Sequence, residues 1–454
     1  MDFSRRQALV AAAAAPLAGT LSGGATQAMA QAGAATPGTT LAPTPPMGWN
    51  SWNSFAGTIT EAQSLEVAAI MREKLLPFGY DTFTVDIQWY EPEASSYTYN
   101  TNPVPALDEF GRLVPAPNRF PSAAGGKGFA PLAEKIHAMG MKFGIHVMRG
   151  IAREAVRRNL PIAGTRYRAK DIADTSSVCS WNPDMYGVDM RKPGAREYYD
   201  DLFRLYASWG VDFVKMDDMS RPYDAHAPEI EAAAGAISRC GRPIVLSLSP
   251  GETPVPRGEH VRKHAQMWRI SDDFWDEWAQ LEAQFTRLEN WTPFRGPGCW
   301  PDADMLPLGR LALGDRDTRF TPDEQRTLMT LWSIARSPLI MGGDLRHLDK
   351  ATLDLLTNPE VLAVNQSSHG NCPHYIADGM RVWSAWSEDG KARYLALFNM
   401  TDKVRDLAVE LRHLGMTGPV SLRDIWARRD LAPVKDTVAA TLPGHGAALY
   451  KLTV

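Results

Sequence analysis

The chain has 454 residues, and its 48 Lys and Arg nearly balance its 52 Asp and Glu, which gives a formal net charge of −4. Because no long run of one sign occurs, the charge pattern argues against a nucleic-acid or membrane-surface partner. Hydrophobic residues make up 44% and charged residues 22%, which is typical of a soluble globular protein with a large core. The length predicts more than one domain, and the 14 Trp and 13 Tyr suit the binding of flat sugar faces.

The N-terminal segment predicts export. Arg5 and Arg6 precede an apolar run, and an Ala-Met-Ala tripeptide ending at residue 30 has the form of a signal-peptidase site. The paired arginines favour a twin-arginine signal over residues 1–30, with an ordinary Sec signal as the alternative. We therefore expect a periplasmic or secreted protein in which residues 31–44, rich in Ala, Gly, Thr and Pro, form a flexible lead-in.

Residues 45–366 alternate short β-type runs with amphipathic helical stretches, which predicts a (β/α)8 TIM barrel. The predicted barrel strands cover residues 47–50, 81–87, 142–148, 211–217, 243–249, 266–273 and 338–342, with another near 291–300. The clearest predicted helices cover residues 61–76, 130–139, 195–209 and 324–335.

The pattern of predicted elements changes in residues 367–454, where strands are closely spaced and no convincing helices lie between them. The predicted strands cover residues 381–387, 392–399, 406–411 and 447–452. This pattern predicts a C-terminal antiparallel β-sandwich domain.

Side-chain alternation along a strand separates two neighbouring aspartates at the end of the segment DFVKMDD (212–218). The apolar residues of that segment are expected to face the helices, which leaves Lys215 and Asp217 facing the barrel axis. A lysine two residues from a carboxylate keeps that carboxylate ionised, as a glycosyl-accepting nucleophile requires. The alternation therefore favours Asp217 over Asp218 as a functional group.

The segment MWRISDD (267–273) gives a second candidate. Alternation groups Arg269 with Asp273 and favours Asp273 over Asp272. Glycoside cleavage uses two carboxyl groups that face the site from different strands. One attacks the anomeric carbon, and the other protonates the leaving oxygen. Taken singly, aspartates at loop starts are also common as helix N-caps, and that alternative stays open here.

Ordered segments across nearly all of residues 45–366 carry a family resemblance. They read PPMGWNSWNSF (45–55), GYDTFTVDIQW (79–89), DEFGRL and NRFP (108–121), GMKFGI (140–145), WGVDFVKMDD (209–218), MWRISDDFWDEW (267–278), CWPDADML (299–306) and SPLIMGGDLR (337–346). In this order they closely resemble glycoside hydrolase family 27, the α-galactosidase and α-N-acetylgalactosaminidase family. The C-terminal β-domain also looks like that of the family.

The resemblance implies a retaining double displacement. The family's nucleophile lies in a K-x-D segment, which matches Asp217, and its acid/base follows a W-R pair, which matches Asp273. Asp304 falls at a family aspartate that we expect to brace a loop rather than to touch substrate. The side chains that the matching places against the sugar are Trp49, Asp86, Lys215 and Arg269.

Three positions depart from the typical family pattern. Typical α-galactosidases carry a second carboxylate at the end of the second strand, where this chain has Ile87. A C-E-W segment usually supplies a glutamate for the sugar 2-hydroxyl, whereas the aligned position here is Ser249. Ser249 either leaves room for a 2-acetamido group or marks a divergent subfamily, so we place it among the substrate-binding residues. Met219 replaces a family cysteine, so the disulfide of that cysteine cannot form.

The connection between residues 148 and 209 is longer than in compact members of the family. We expect its four clustered arginines to be solvated rather than to line a cleft; they are Arg149, Arg153, Arg157 and Arg158. The chain's cysteines form no CxxC pair, and we expect them to be structural or free thiols; they are Cys179, Cys240, Cys299 and Cys372.

The leading functional prediction is an exo-glycosidase that hydrolyses terminal α-D-galactosyl residues of an oligosaccharide or polysaccharide through a covalent glycosyl-aspartate. The alternatives within this class are an α-N-acetylgalactosaminidase and a β-L-arabinopyranosidase, whose sugar lacks the C6 hydroxymethyl group but shares the ring stereochemistry of galactose. A catalytically silent carbohydrate-binding barrel is the alternative from a different class. No HxH, HExxH or Gly-rich fingerprint occurs, so we expect no metal and no cofactor. The sequence does not indicate an oligomeric state.

Overall fold

The computed structural model describes residues 41–377 and 379–454. The predicted export signal, residues 1–30, and residues 31–40 of the predicted lead-in lie outside the described residues. Within the described ranges, no helix is long and apolar enough to cross a membrane.

Eight parallel strands form a curled sheet that closes into a barrel. β1 to β7 pair in sequence order, and β8 pairs with β1. The ring is completed beyond β7, where the Leu306 amide donates to the Ile340 carbonyl at 2.8 Å and the Gly342 amide donates to the Leu306 carbonyl at 3.0 Å. The predicted barrel fold is therefore confirmed. The strands are β1 (Met47–Asn50), β2 (Thr82–Val85), β3 (Lys142–Met148), β4 (Phe213–Asp217), β5 (Val245–Leu248), β6 (Met267–Arg269), β7 (Trp300–Asp302) and β8 (Leu339–Met341).

A helix follows each barrel strand and packs its apolar face on the outside of the sheet. Successive side chains of β4 alternate between the two faces of the sheet. Val214 and Met216 pack in the core between the sheet and the helices, while Phe213 and Lys215 face the barrel interior. The helices are α1 (Glu61–Lys74), α2 (Ala130–Ala138), α3 (Ala195–Ser208), α4 (Tyr223–Arg239), α5 (Gly258–His264), α6 (Trp278–Trp291), α7 (Pro322–Ala335) and α8 (Pro359–Ser367).

The prediction of a barrel strand near residues 291–300 was wrong in its placement. α6 continues to Trp291, and a short 3-10 turn with Pro293 follows it, so the strand β7 begins only at Trp300. Because proline cannot donate a ladder hydrogen bond, Pro293 and Pro297 favour a turn over a strand in the intervening segment.

The long connection after β3 folds into a small substructure on the carboxyl-end face of the barrel. Short strands at Ile151–Ala152, Ala173–Val178 and Met185–Val188 form an antiparallel sheet. The turn between the last two strands carries Cys179, which like the other cysteines of the chain is a free thiol. This turn lies close to the end of β4, since the charges of Asp218 and Asp217 help burial to raise the pKa of Cys179 to about 12.

The C-terminal strands form the predicted antiparallel β-sandwich. One sheet has the order β9–β10–β11–β16–β13–β14, and β12 pairs with β15 in a second sheet. Apolar side chains from both sheets share one core, among them Leu397, Val409 and Val438. The strands are β9 (His369–Ala377), β10 (Met380–Trp386), β11 (Ala392–Asn399), β12 (Arg405–Glu410), β13 (Val420–Asp424), β14 (Arg429–Val434), β15 (Thr437–Leu442) and β16 (Ala447–Thr453).

Helix α7 joins the two domains. It begins with a capping box in which the Thr321 hydroxyl accepts from the Glu324 amide and the Glu324 carboxylate accepts from the Thr321 amide. Every residue from 327 to 335 is buried. Trp332 donates to the Asp304 carbonyl on the barrel side at 3.0 Å, and Thr327 donates to the His445 carbonyl of the β-domain at 2.6 Å.

Candidate active site

Carboxylates and cations gather at the carboxyl ends of the barrel strands. Asp86 follows β2, Asp217 ends β4, Arg269 ends β6 and Asp273 lies four residues farther along. In this fold the loops after the strands build the active site at this face. The predicted site residues therefore come together at one end of the barrel.

Asp217 is a buried carboxylate that remains ionised. Burial raises its pKa, but the hydrogen bond with His146 Nε2, at 3.0 Å from Oδ2, and the positive charges of His146 and Lys215 outweigh burial and lower the pKa to about 2. The Asp218 amide donates to the other oxygen of Asp217 at 3.0 Å. Asp217 therefore offers a negative charge at neutral pH with its geometry fixed by hydrogen bonds to both oxygens.

Asp218 points away from Asp217 and is neutralised by a buried arginine. Arg149 contacts the Asp218 carboxylate at 2.8 Å and the Glu229 carboxylate at 2.6 Å. The Arg149 side chain is only 2% exposed, so the expectation that it is solvated was wrong. Arg157 does fit that expectation, since its side chain is 73% exposed. The arginine network therefore engages Asp218, whereas Asp217 pairs with His146.

Asp273 is the exposed carboxylate of the site. Its side chain is 58% exposed, and Arg269 Nη2 contacts its Oδ1 at 3.3 Å. The neighbouring Asp272 pairs with Arg221 at the surface, at 2.7 Å. Asp273 thus stands at the mouth of the site, where a leaving group and water can both reach it.

Asp304 braces this region, as expected from the sequence. One of its oxygens contacts Arg269 Nη1 at 2.9 Å, and the other accepts a hydrogen bond from the Phe274 amide at 2.8 Å. Burial raises the pKa of Asp304 and of its neighbour Asp302, while the Arg269 guanidinium opposes that rise. Asp304 therefore fixes both the guanidinium and the turn that carries Asp273.

Asp86 and Lys215 form a buried polar pair beside Asp217. Lys215 Nζ donates to Asp86 Oδ2 at 2.9 Å, and Asn50 Nδ2 donates to the same oxygen at 2.6 Å. Burial acts to raise the pKa of Asp86, but the charges of Lys215 and His146 outweigh it and lower that pKa. These groups present fixed hydrogen-bond donors and acceptors at the floor of the site, as sugar hydroxyls require.

The assignment of Trp49 to the sugar was wrong. Trp49 is fully buried, stacks on Phe83 at a centroid distance of 5.0 Å and donates its indole N–H to the Gly343 carbonyl at 2.8 Å. It faces the helices, whereas Trp52, three residues later, packs on the interior cluster that includes Phe213. Trp52 is therefore the tryptophan of this segment that lies at the site.

Ser249 and Ile87 are both buried near the floor of the site. Ser249 lines a cavity of about 20 Å³ inside the barrel, together with Ser247, Arg269 and Asp302. Its hydroxyl has no hydrogen-bond partner among the described residues. Ile87 is 2% exposed and belongs to the apolar core, so the end of β2 offers one carboxylate, that of Asp86.

The structure adds site residues that the sequence did not single out. His146 contacts Asp217 directly, and the pKa of the Tyr99 hydroxyl is raised by burial and by the charges of Asp217, Asp86 and Asp273. The signal for His146 was available, because it lies beside Lys215 of β4 in the sheet register and so shares its face of the sheet. Tyr99 lies in an irregular loop, where no periodicity predicts its position.

No three His, Cys, Asp or Glu side chains in the described part of the chain are grouped so that they could hold a metal ion. The two proposed reacting groups, Asp217 and Asp273, are carboxylates with different exposure. Asp217 is suited to attack, and Asp273 is suited to exchange a proton with a leaving group or water.

Two family models and several known proteins match this chain. The family model for alpha galactosidase A matches residues 188–367, and the model for the alpha galactosidase C-terminal beta sandwich domain matches residues 377–452. The chain is 30% identical to an alpha-galactosidase of Coffea arabica, over 90% of this chain and 94% of that protein. It is 51% identical to the structure of a family 27 β-L-arabinopyranosidase from Geobacillus stearothermophilus, with a TM-score of 0.90 over 91% of this chain and 97% of that one.

Proposed function

Because the chain belongs to glycoside hydrolase family 27, the family of the α-galactosidases, we propose that Asp217 and Asp273 carry out its reaction as nucleophile and acid/base. The family is one of retaining glycosidases, and this chain is a glycoside hydrolase. The observation that supports the two roles is the contrast between a buried, hydrogen-bonded Asp217 of low pKa and an exposed Asp273.

The proposed reaction has two displacements. In the first, the Asp217 carboxylate forms a bond to the anomeric carbon while the bond to the leaving oxygen breaks, and the Asp273 carboxyl gives its proton to that oxygen. In the second, the Asp273 carboxylate takes a proton from water, the water oxygen bonds to the anomeric carbon, and the glycosyl–Asp217 bond breaks. The anomeric configuration is thereby retained, and both carboxyl groups return to their starting states.

The pair of Asp86 and Lys215 supports binding of a sugar with the ring stereochemistry of galactose. A hydroxyl of the sugar can accept from Lys215 and donate to Asp86, whose interactions with Lys215 and Asn50 hold it in place. The Arg269 side chain is 2% exposed and contacts both Asp273 and Asp304, so its guanidinium is held in place beside the proposed acid/base. This part of the site does not distinguish galactose from arabinopyranose, because the two share these hydroxyls.

We propose that the preferred substrate is a β-L-arabinopyranoside, and Ile87 is the observation that carries this choice. Typical α-galactosidases have a carboxylate at this position, whereas Ile87 is apolar and 2% exposed. A hydroxymethyl group placed against Ile87 would lose water without gaining an acceptor, which costs about 1–3 kcal/mol, or roughly ten- to a hundredfold in kcat/KM. The arabinopyranoside lacks that group. A structure 50% identical to this chain is a family 27 β-L-arabinopyranosidase in complex with arabinose.

α-D-galactoside hydrolysis is the second candidate, and the extensive match to α-galactosidases favours it. A small Ser249 at the position of the family glutamate also leaves room for a 2-acetamido group, which keeps an N-acetylgalactosaminide among the substrates to test. All three candidates share the same nucleophile and acid/base.

Rates on three p-nitrophenyl glycosides test the proposal. We expect the highest kcat/KM on the β-L-arabinopyranoside, a lower value on the α-D-galactopyranoside and the lowest on the N-acetyl-α-D-galactosaminide. Asp217→Ala should abolish turnover of all three, and NMR should detect the retained anomer of the product first. A higher kcat/KM on the galactoside would contradict the sugar assignment, while an inverted product would contradict the mechanism.

Export of the protein is also a proposal, and residues 1–30 support it. When the full chain is expressed in a bacterial host, we expect the enzyme outside the cytoplasm. A variant with both Arg5→Lys and Arg6→Lys should be retained in the cytoplasm if the signal is of the twin-arginine type. Unchanged export of that variant would favour the Sec alternative.

A further inference from the structure

Five aromatic side chains from four separate segments of the chain form a row at the mouth of the site. Tyr99 lies between Trp52, at 6.2 Å and nearly parallel, and Trp181, at 5.8 Å. Tyr97 meets Trp52 edge-on at 5.2 Å and Trp275 at 5.9 Å. We call this set, Trp181–Tyr99–Trp52–Tyr97–Trp275, the aromatic row.

The aromatic row borders the reacting carboxylates. Trp52, in the middle of the row, packs on the interior cluster that contains Phe213, and Phe213 lines the barrel cavity together with Lys215. Toward one end of the row, the charges of Asp217, Asp86 and Asp273 help burial to raise the pKa of the Tyr99 hydroxyl. At the other end of the row, Trp275 is two residues from Asp273. The row therefore flanks the side on which the exposed Asp273 meets a leaving group.

Trp181 is the part of the row that is open to solvent. It is 38% exposed, whereas the other tryptophans of the described chain are buried or half-buried. Because Trp181 packs on Tyr99 and so continues the row, its exposed face belongs to a contiguous apolar surface, and such surfaces mark ligand-binding grooves. The indole face continues the row outward from Tyr99, beyond the groups that would hold the cleaved sugar.

The turn that carries Trp181 is held firmly against the barrel. The Asp184 carboxylate oxygen Oδ2 accepts hydrogen bonds from Gln88 Nε2 at 2.7 Å, from the Tyr90 hydroxyl at 2.5 Å and from Asn182 Nδ2 at 3.1 Å. Two of these donors lie just after β2, next to the site. Trp181 is thus positioned before a ligand arrives, which lowers the entropic cost of binding.

We propose that Trp181, with Tyr99 beside it, forms a subsite for the ring of the leaving group, and that the occupant is a sugar residue. This inference rests on the proposed function, because a leaving-group subsite requires hydrolysis at Asp217 and Asp273. The axial C–H groups of a pyranose make one face of the ring apolar, and that face packs on an indole while the hydroxyls at the rim stay in water. The preferred substrate is then a glycoside with a sugar, rather than a small alcohol, on the reducing side.

The test compares two substrates with the same cleaved sugar. The first is methyl β-L-arabinopyranoside. The second is the disaccharide β-L-arabinopyranosyl-(1→3)-L-arabinose, in which the leaving group is a sugar ring that is no more activated than methanol. Wild-type kcat/KM should be higher on the disaccharide. Trp181→Ala should lower the ratio of the two kcat/KM values by about three- to tenfold, and Trp181→Phe should restore most of that loss.

A matched control is Phe78→Ala. Phe78 is 40% exposed, but it precedes β2 at the opposite end of the barrel, so its loss should leave the ratio unchanged. Two outcomes would overturn the subsite: a wild-type ratio near one, or a ratio that Trp181→Ala does not lower. If Trp181→Ala lowers kcat/KM equally on both substrates, their ratio does not change, which is the second outcome. It would mean that Trp181 acts on the cleaved sugar or on folding.

The same measurement on methyl α-D-galactopyranoside and α-D-galactopyranosyl-(1→6)-D-glucose separates this inference from the sugar assignment. If only the galactosides are hydrolysed, the arabinopyranoside proposal fails, and the effect of Trp181→Ala is read from the galactoside ratio. If none of the four glycosides is hydrolysed by the wild type, both proposals fail.

Discussion

Replacing His146 with leucine should move the acid limb of the pH–activity profile to higher pH. His146 Nε2 lies 3.0 Å from the Asp217 carboxylate, and the His146 side chain is fully buried. Leucine fills the same buried space but removes both the hydrogen bond and the positive charge. Asp217 must be ionised to attack the anomeric carbon, so its pKa determines where activity falls as the pH decreases.

The size of the change follows from the forces on Asp217. Burial is the largest and raises the pKa, while His146, Lys215 and the Asp218 amide lower it from 3.8 to about 2. After burial, the two contributions of His146 are the largest, ahead of those of Lys215 and the amide, so without them we expect the pKa to return close to its ordinary value of 3.8. This corresponds to about 2.5 kcal/mol of lost stabilisation of the carboxylate. At pH 3 the variant should keep about one-seventh of its plateau activity, whereas the wild type stays close to its plateau.

The assay is kcat/KM against pH on a 2,4-dinitrophenyl glycoside, because that leaving group needs no proton from Asp273. Samples held at each pH and then assayed at neutral pH identify loss by acid unfolding. His146→Gln is the matched control, since it keeps a donor near Asp217 without the charge and should give an intermediate limb. Coinciding acid limbs in the wild type and His146→Leu would refute the role assigned to His146.

Three further predictions follow from the site. Asp273→Ala should lower kcat/KM by about 10²–10⁴ on an alkyl glycoside but much less on the 2,4-dinitrophenyl substrate, and equal losses would exclude Asp273 as the acid. Ile87→Asp should raise the galactoside-to-arabinopyranoside ratio of kcat/KM by roughly ten- to a hundredfold, because it adds a charged acceptor for the 6-hydroxyl; Ile87→Val should not, and an unchanged ratio in the aspartate variant would contradict the reasoning. Arg149→Met should cost about 3–5 kcal/mol in urea denaturation, since it leaves two buried carboxylates unpaired, whereas the exposed Arg157→Met should have little effect; similar stabilities would contradict the proposed network.

Much of the fold could be predicted from the sequence because strand and helix periods are local properties. β1 and β3 were placed to the residue, since each is a short apolar run bounded by turns. β7 was misplaced, because its three residues are too few for a period to be visible and α6 extends its apolar pattern to Trp291. In the sequence, the buried Trp291 at the end of a helix cannot be distinguished from the buried Trp300 at the start of a strand.

The site was less accessible from the sequence, because it depends on distances between distant segments. Alternation predicted the inward direction of Lys215 and Arg269, since both lie inside regular strands. The choice of Trp49 failed because Trp49 and Trp52 belong to one motif. Which of the two faces the site depends on how the chain bends after β1, and the sequence does not show that bend. Trp181 and Tyr99 come from irregular loops of different connections, and only tertiary packing brings their rings together.

The burial of α7 on all sides between residues 327 and 335 determines how the protein should unfold. A helix with one side against the barrel and the other against the β-domain has no face that tolerates water, so neither domain can melt without exposing it. We therefore expect one cooperative heat-absorption peak for the whole chain rather than two separate transitions. A chain cut after α8 should not yield a smaller enzyme, since the barrel would then carry an exposed apolar surface where the β-domain had been. We therefore expect the C-terminal domain to stabilise the barrel that carries the active site.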